Sequence, residues 1–368
     1  MNNGLRIIIA GGGTGGHIFP AVAIGHALLR LRPGTQLLFV GARGKMEMEK
    51  VPQEGFEIVG LDIAGFNRSN ILKNITLPFK LLKSRMQAAD ILRRFVPDVV
   101  VGVGGYASFP MLNAAQSLGI PTLVQEQNSF AGKSNKILGR SARAICVAYE
   151  GMEKFFPADK LVLTGNPVRK AISDMGRTAE EGRQYFGLKR DLKTVLVVGG
   201  SLGAKLINES VDAHLAELLG DDVQLIWQTG KPYHQQAVAS AAKYGDRVKV
   251  QEFIKEMDYA YAAADVVISR AGALAIAELC IAGKPVIFVP YPFAAEDHQA
   301  SNALALVQHN AAMLVKDSEA QAELIKKART LLHDDKMQEL MSANLLAMAI
   351  KNADERIAEK VMEIAGRK

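Results

Sequence analysis

The stretch Arg6-Ile7-Ile8-Ile9-Ala10-Gly11-Gly12-Gly13-Thr14-Gly15-Gly16-His17 decides the fold. Its apolar run reads as a buried strand, its glycines as a tight loop, and the residues that Phe19 and Pro20 open as a helix. Glycine lets the backbone approach a phosphate or sugar closely, and a helix start supplies unpaired N–H groups and the positive end of a dipole. An anionic or polyol ligand is therefore expected here. Gly11, Gly13 and Gly16 also satisfy the G-x-G-x-x-G dinucleotide spacing, a weak signal alone. NAD would want an acid at the end of the second strand. That strand ends Phe39-Val40-Gly41-Ala42-Arg43, which disfavours NAD and leaves NADP open through Arg43.

The same design recurs at Thr194 to Val198, followed by Gly199-Gly200-Ser201-Leu202-Gly203-Ala204. Between and beyond these two points, short β-branched runs alternate with longer amphipathic ones, the pattern of βα units in a parallel sheet. The fold class is α/β. Seven strands are predicted before the middle, at Arg6 to Ala10, Leu37 to Val40, Glu57 to Leu61, Val99 to Val103, Thr122 to Gln125, Ala144 to Val147 and Leu161 to Thr164. Six follow, at Thr194 to Val198, Gln224 to Gln228, Val248 to Glu252, Val266 to Ser269, Val286 to Val289 and Ala312 to Val315. Gly165-Asn166-Pro167 and the charged residues after Ser173 mark a seam, giving domains at 1–166 and 167–349. The tail from Gln321 to Arg367 reads as two or three helices, the last of which, about 350–368, is expected to return to the first half.

Composition agrees with two globular domains. The 368 residues are 49% hydrophobic and 22% charged, with 33 Gly and 13 Pro, which excludes disordered, collagenous and disulfide-stapled classes. A formal charge of +6 suits an anionic ligand or membrane face and shows no nucleic-acid stripe. Cys146 and Cys280 lie in separate apolar stretches and read as buried, reduced thiols of a cytosolic protein. The apolar run after Arg6 is too short for a signal-peptide core, and no run approaches the roughly 18 residues of a spanning helix. Membrane contact, if made, is expected to be peripheral.

Two further loops resemble the first pair, Gly102-Val103-Gly104-Gly105-Tyr106-Ala107-Ser108 and Ser269-Arg270-Ala271-Gly272-Ala273-Leu274. His17 sits at a helix start, where the dipole favours a neutral imidazole able to accept a proton. His298, with Gln299 and Asn302 beside it, is the other contender. Glu278, past Ala273 on the next helix, is placed to accept ribose hydroxyls. Arg169 follows the seam and suits a diphosphate. No D-x-D pair and no metal-spaced cluster occurs, so no cofactor is expected, with a loosely bound Mg²⁺ left open. Residues 71–85 interleave apolar side chains (Ile71, Leu72, Ile75, Phe79, Leu82) with Lys73, Lys80, Lys83 and Arg85, a surface suited to an anionic leaflet. Pro78 suggests a short helix or loop there rather than one long buried helix.

Taken together, the Gly11 to His17 loop, Gly104-Gly105-Tyr106, Gln125-Glu126-Gln127-Asn128, Gly165-Asn166-Pro167-Val168-Arg169, the Gly199 to Ala204 loop and the approach to Glu278 resemble the MurG family. These are the undecaprenyl-diphospho-muramoylpentapeptide β-N-acetylglucosaminyltransferases of peptidoglycan synthesis, in glycosyltransferase family 28. The likeness runs nearly the whole chain. It implies a GT-B architecture of two Rossmann-like domains facing across a cleft. It also implies inverting transfer of N-acetylglucosamine from UDP-N-acetylglucosamine to the C4 hydroxyl of lipid intermediate I. Carried onto this sequence, donor contacts would be Thr14, Gly15, Gly16, Asn128, Arg169, Ser201 and Gln299. Ile254 would hold the uracil through its backbone, and Ala273, Leu274, Ala275, Ile276, Ala277 and Glu278 would cradle diphosphate and ribose, with His17 as base. The likeness is loosest over Pro290 to Gln299, where His298 and Gln299 compete for the sugar. Implied partners are the two substrates, an anionic surface on the cytoplasmic face of the inner membrane, and other cell-wall synthesis proteins. Rival readings are a UDP-N-acetylglucosamine 2-epimerase of the same fold and an NADP-dependent oxidoreductase.

Overall fold

The computed structural model describes residues 4–63, 77–200, 203–294 and 297–366. The chain divides into two compact units, residues 1–169 with 352–368, and residues 170–351. This division falls within the seam read from the sequence, between Gly165-Asn166-Pro167 and Ser173, and three residues past the 166/167 domain boundary given there. Strand Leu161–Leu163 ends just before that tripeptide, and the first helix of the second unit, Lys170–Ser173, begins just after Arg169.

Among the described residues the first unit carries β1 (Arg6–Ala10), β2 (Gln36–Ala42), β3 (Ile58–Leu61), β4 (Val99–Gly102), β5 (Thr122–Glu126), β6 (Ala144–Val147) and β7 (Leu161–Leu163). The second carries β8 (Lys193–Val198), β9 (Val223–Gln228), β10 (Val248–Gln251), β11 (Val266–Ser269), β12 (Val286–Phe288) and β13 (Met313–Leu314). Each apolar run read from the sequence forms a strand, with ends shifted by a residue or so. The sheets are parallel and ordered β3-β2-β1-β4-β5-β6-β7 and β10-β9-β8-β11-β12-β13.

Alternate residues of β1 explain why its sequence is apolar without interruption. Ile7 and Ile9 pack on one face with Ile18, Ile24 and Leu28, while Ile8 and Ala10 pack on the other with Met111, Leu112 and Leu92. A strand covered on both faces has no polar side to show. The C-terminal helix, Ala353–Ala365, joins the first of these faces through Ile357, Val361 and Ile364 and packs on the Gly15–Leu31 helix. Burying those three side chains contributes up to about 5–9 kcal/mol. Arg30 pairs with Asp354 at 2.8 Å and with Glu355 at 3.3 Å at the helix start.

Two helix boundaries differ from expectation. The first helix begins at Gly15, not at Phe19-Pro20, and Pro20 lies inside it. From Leu77 on, the described chain is one helix, Leu77–Phe95, longer than the short helix or loop expected from Pro78.

Candidate active site

In an open parallel sheet, ligands sit beyond the carboxyl ends of the strands where the strand order reverses. Both sheets have such a point, between β1 and β4 and between β8 and β11. The four glycine loops found by sequence fall on these two points as two pairs. Spacing along the chain could not have shown that pairing, because it depends on strand order.

In the first unit the loops after β1 and β4 touch. Gly12 N–H donates to Gly104 O at 3.3 Å. Gly105, at φ +83°, lies so close that a Cβ on it would stand 2.0 Å from Gly12 O. The His17 ring rests on Gly104, where a Cβ would be 2.8 Å from Nε2, and Thr14 Oγ1 is 3.4 Å from His17 Nδ1. Thr14 caps the Gly15–Leu31 helix in extended conformation, and its carbonyl accepts from His17 and Ile18 N–H at 3.0 and 3.1 Å. The N–H groups of Gly15 and Gly16, in the first turn, have no acceptor within the helix. Thr14 and Gly16 are exposed, and Gly15 and His17 half-buried.

The Gln125 to Asn128 motif does scaffolding work. Glu126 is buried and accepts from Asn128 N–H and Nδ2 at 3.1 and 3.2 Å, Gly132 N–H at 3.1 Å and Asn135 Nδ2 at 2.9 Å. Gln127 Nε2 donates to Val103 O at 2.7 Å, fastening this segment to the glycine loop after β4. Asn166 Nδ2 donates to Gln127 O at 2.9 Å. Asn128 thus has its amide turned to Glu126, and Arg169, half-buried, closes the first unit at its boundary.

In the second unit Gly272 caps the Ala273–Ala282 helix with no side-chain cap and no acid in the first turn, and a Cβ built on it meets nothing within 4 Å. Ala273, Leu274, Ala275 and Ala277 are half-buried; Ile276 is buried, its N–H on Gly272 O at 3.0 Å. Glu278 is 8% exposed, and Tyr261 OH donates to its Oε2 at 3.0 Å. Gln228, missed by the sequence reading, donates from Nε2 to Gly200 O at 2.8 Å and accepts from Ile254 N–H at 3.4 Å. It links the loop after β8 to the residue proposed for the uracil. Ser201 lies outside the described residues. Gln299 has its carbonyl on Tyr291 N–H at 2.9 Å, so that end holds the loop after β12. His298 begins the next helix, and Asn302 is fully buried.

Arg43, the residue that left NADP open, pairs with Asp62 at 2.7 Å. Lys83 and Gln87, with Arg43, hold the Asp62 carboxyl below the usual range. Burial pushes the Cys146 and Cys280 thiols up to about 12, which leaves no thiolate for chemistry near neutrality. Among the described residues no group of three or more His, Cys, Asp or Glu is placed to hold a metal, and no helix is long and apolar enough to cross a membrane. Of the predicted surface patch, Ile71, Leu72, Lys73 and Ile75 lie outside the described residues, as do the side chains of Phe79 and Lys80. Leu82 is 60% exposed, and Lys83 pairs with Asp62 at 2.9 Å.

Residues 7–147 match the N-terminal domain of glycosyltransferase family 28 and residues 194–360 its C-terminal domain. A Bacteroides thetaiotaomicron protein, named UDP-N-acetylglucosamine–N-acetylmuramyl-(pentapeptide) pyrophosphoryl-undecaprenol N-acetylglucosamine transferase, is 52% identical over 99% of each chain. The crystal structure of Acinetobacter baumannii MurG superposes with a TM-score of 0.79 at 31% identity, covering 98% of this chain and 99% of that one. A UDP-N-acetylglucosamine 2-epimerase from Neisseria meningitidis, bound to its nucleotide sugar, shares the fold at a TM-score of 0.66 and 18% identity, covering 98% and 100%.

Proposed function

We infer from membership of glycosyltransferase family 28, to which this chain belongs, that it is a UDP-N-acetylglucosamine-dependent hexosyltransferase. It moves N-acetylglucosamine to the C4 hydroxyl of the muramoyl sugar of undecaprenyl-diphosphate pentapeptide, inverting the anomeric carbon and releasing UDP. The observation that carries this is a likeness running through both units at 52% identity, with a glycine-loop pair on the switch point of each. The epimerase reading has only a shared fold behind it.

In the proposed mechanism the acceptor oxygen attacks the anomeric carbon as the bond to the UDP β-phosphate oxygen breaks, and that electron pair leaves with UDP. His17 takes the hydroxyl proton. The leaving diphosphate is held by the start of the Ala273–Ala282 helix, whose first turn carries no acid. Glu278, steadied by Tyr261, accepts from the ribose. Arg169, Asn128 and Gln299 remain proposed donor contacts. Incubation with labelled UDP-N-acetylglucosamine and a lipid-linked muramoyl acceptor should give a lipid-linked disaccharide and UDP. A 2-epimerised UDP-sugar with no lipid product would overturn the reading.

We further propose that the first unit rests on the cytoplasmic face of an anionic membrane through the Leu77–Phe95 helix. Leu82 and Met86, one turn apart, are 60% and 67% exposed, more apolar surface than a solvated helix face needs.

A further inference from the structure

Glu47 was not singled out by sequence, where it sits among charged residues in Lys45-Met46-Glu47-Met48-Glu49-Lys50. In the fold it is the first residue of the short helix Glu47–Gln53 and is 1% exposed. Its Oε2 accepts from Gly13 N–H at 2.7 Å and its Oε1 from Ala42 N–H at 2.8 Å. One carboxyl group therefore ties the loop after β1 to the end of β2. Two glycines leave it room. A Cβ on Gly12 would stand 2.4 Å from Oε1, and one on Gly41 would stand 2.5 Å from Cγ. A buried acid wedged between glycines and spending both oxygens on backbone N–H groups costs more than an apolar residue would, unless it fixes something. What it fixes is the segment Gly12-Gly13, which leads directly into Thr14 and His17.

We propose that Glu47 is a positioning residue for transfer: by clamping Gly13 to Ala42 it holds the glycine loop in the pose that seats the His17 ring on Gly104. The proposal deepens the transferase reading and rests on it. Glu47 is buried, with both carboxyl oxygens on backbone N–H groups. It acts through the loop, and a displacement of about 1 Å at a reacting group can cost roughly a hundredfold in rate.

The test uses the full-length enzyme with the lipid-linked acceptor, together with calorimetric titration of UDP, whose proposed contacts lie mostly in the second unit. Glu47→Gln keeps the shape but turns an NH₂ toward one of the two N–H donors. It should lower kcat about tenfold, and Glu47→Ala about a hundredfold. UDP should bind both variants at full stoichiometry and with affinity within about twofold of wild type.

Gly41→Ala supplies an independent variant. Its Cβ meets Glu47 Cγ at 2.5 Å and Ile58 Cδ1 at 3.1 Å, and no atom of the loop after β1 is among its nearest contacts. It should lower kcat by displacing the carboxyl, and the Gly41→Ala/Glu47→Ala double variant should be no slower than Glu47→Ala alone. A Glu47→Ala enzyme within twofold of wild type in kcat overturns the proposal. So does a fall in kcat matched by an equal fall in UDP stoichiometry, the mark of a merely unfolded fraction, and so do additive losses in the double variant. A wild type that makes no lipid-linked disaccharide overturns the transferase reading, and the proposal with it.

Discussion

The loop pair at β1/β4 and the loop pair at β8/β11 occupy equivalent points of two similar sheets, yet they handle carboxyl groups in opposite ways. In the first unit Glu47 is driven into the glycine loop and takes the Gly13 N–H. In the second, the Ala273–Ala282 helix starts on Gly272 without an acid in its first turn, and Glu278 faces Tyr261 further along. A phosphate brought to the first loop would meet a carboxyl already on one of its amides. The second helix start offers a dipole and open space. Shared topology therefore does not mean shared ligand: the sign of the local field supports assigning the diphosphate to the second unit and the neutral alcohol, with its base, to the first.

The sharpest way to break this comparison is to remove the base. His17→Ala should lower kcat by about 10² to 10⁴, roughly 2.7 to 5.4 kcal/mol, and leave UDP affinity unchanged. Steady-state kinetics beside calorimetry checks both halves. Near-normal turnover would return His17 to packing on Gly104. A parallel loss of UDP binding would place the nucleotide in the first unit and reverse the division of labour.

Much of this arrangement was legible in the sequence, for a physical reason. Strands buried on two faces must be apolar throughout, so Ile7 to Ala10 and Val99 to Val101 announce themselves. Loops that approach another backbone must be glycine, as Gly105 is against Gly12. Hidden from sequence were the features that depend on which strands become neighbours. The pairing of the four loops follows from the order β2-β1-β4 and β9-β8-β11. Glu47 reads as one more solvated charge until β2 brings Ala42 N–H beside Gly13 N–H. Gln299 looks like a sugar donor in a linear reading and Asn128 enters through the family resemblance, but their hydrogen bonds to Tyr291 and Glu126 show what the loops themselves require.

A second variant gives the second unit what the first already has. Ala275 is half-buried in the first turn of its helix, and Ala275→Asp would set a carboxylate beside the proposed diphosphate. Like charges about 4 Å apart in an interfacial environment repel by about 4 kcal/mol; part is screened, so UDP affinity should fall about a hundredfold, roughly 2.7 kcal/mol. The same acid at a helix start should stabilise the fold by about 0.3 to 1 kcal/mol. Binding and melting temperature should thus move in opposite directions, which a general disruption of the helix could not produce. Unchanged UDP binding would remove the diphosphate from this helix start.

The smallest expected effect separates the units by surface rather than by site. Leu82 and Met86 project from the first unit, while Lys83 on the same helix shares the Asp62 carboxylate with Arg43. Apolar contact should therefore outweigh that lysine. Sinking two largely exposed side chains into a leaflet contributes about 1 kcal/mol each, so Leu82→Ser/Met86→Ser should weaken pelleting with phosphatidylglycerol vesicles about thirtyfold. Lys83→Ala should change it by no more than about fivefold, because one lysine near an anionic surface contributes about 1 kcal/mol and this one shares the Asp62 carboxylate with Arg43. UDP binding should be untouched in both. If the lysine variant loses pelleting and the serine variant keeps it, the membrane is read by charge from residues other than this apolar pair, and the Leu77–Phe95 helix is not the face that meets it.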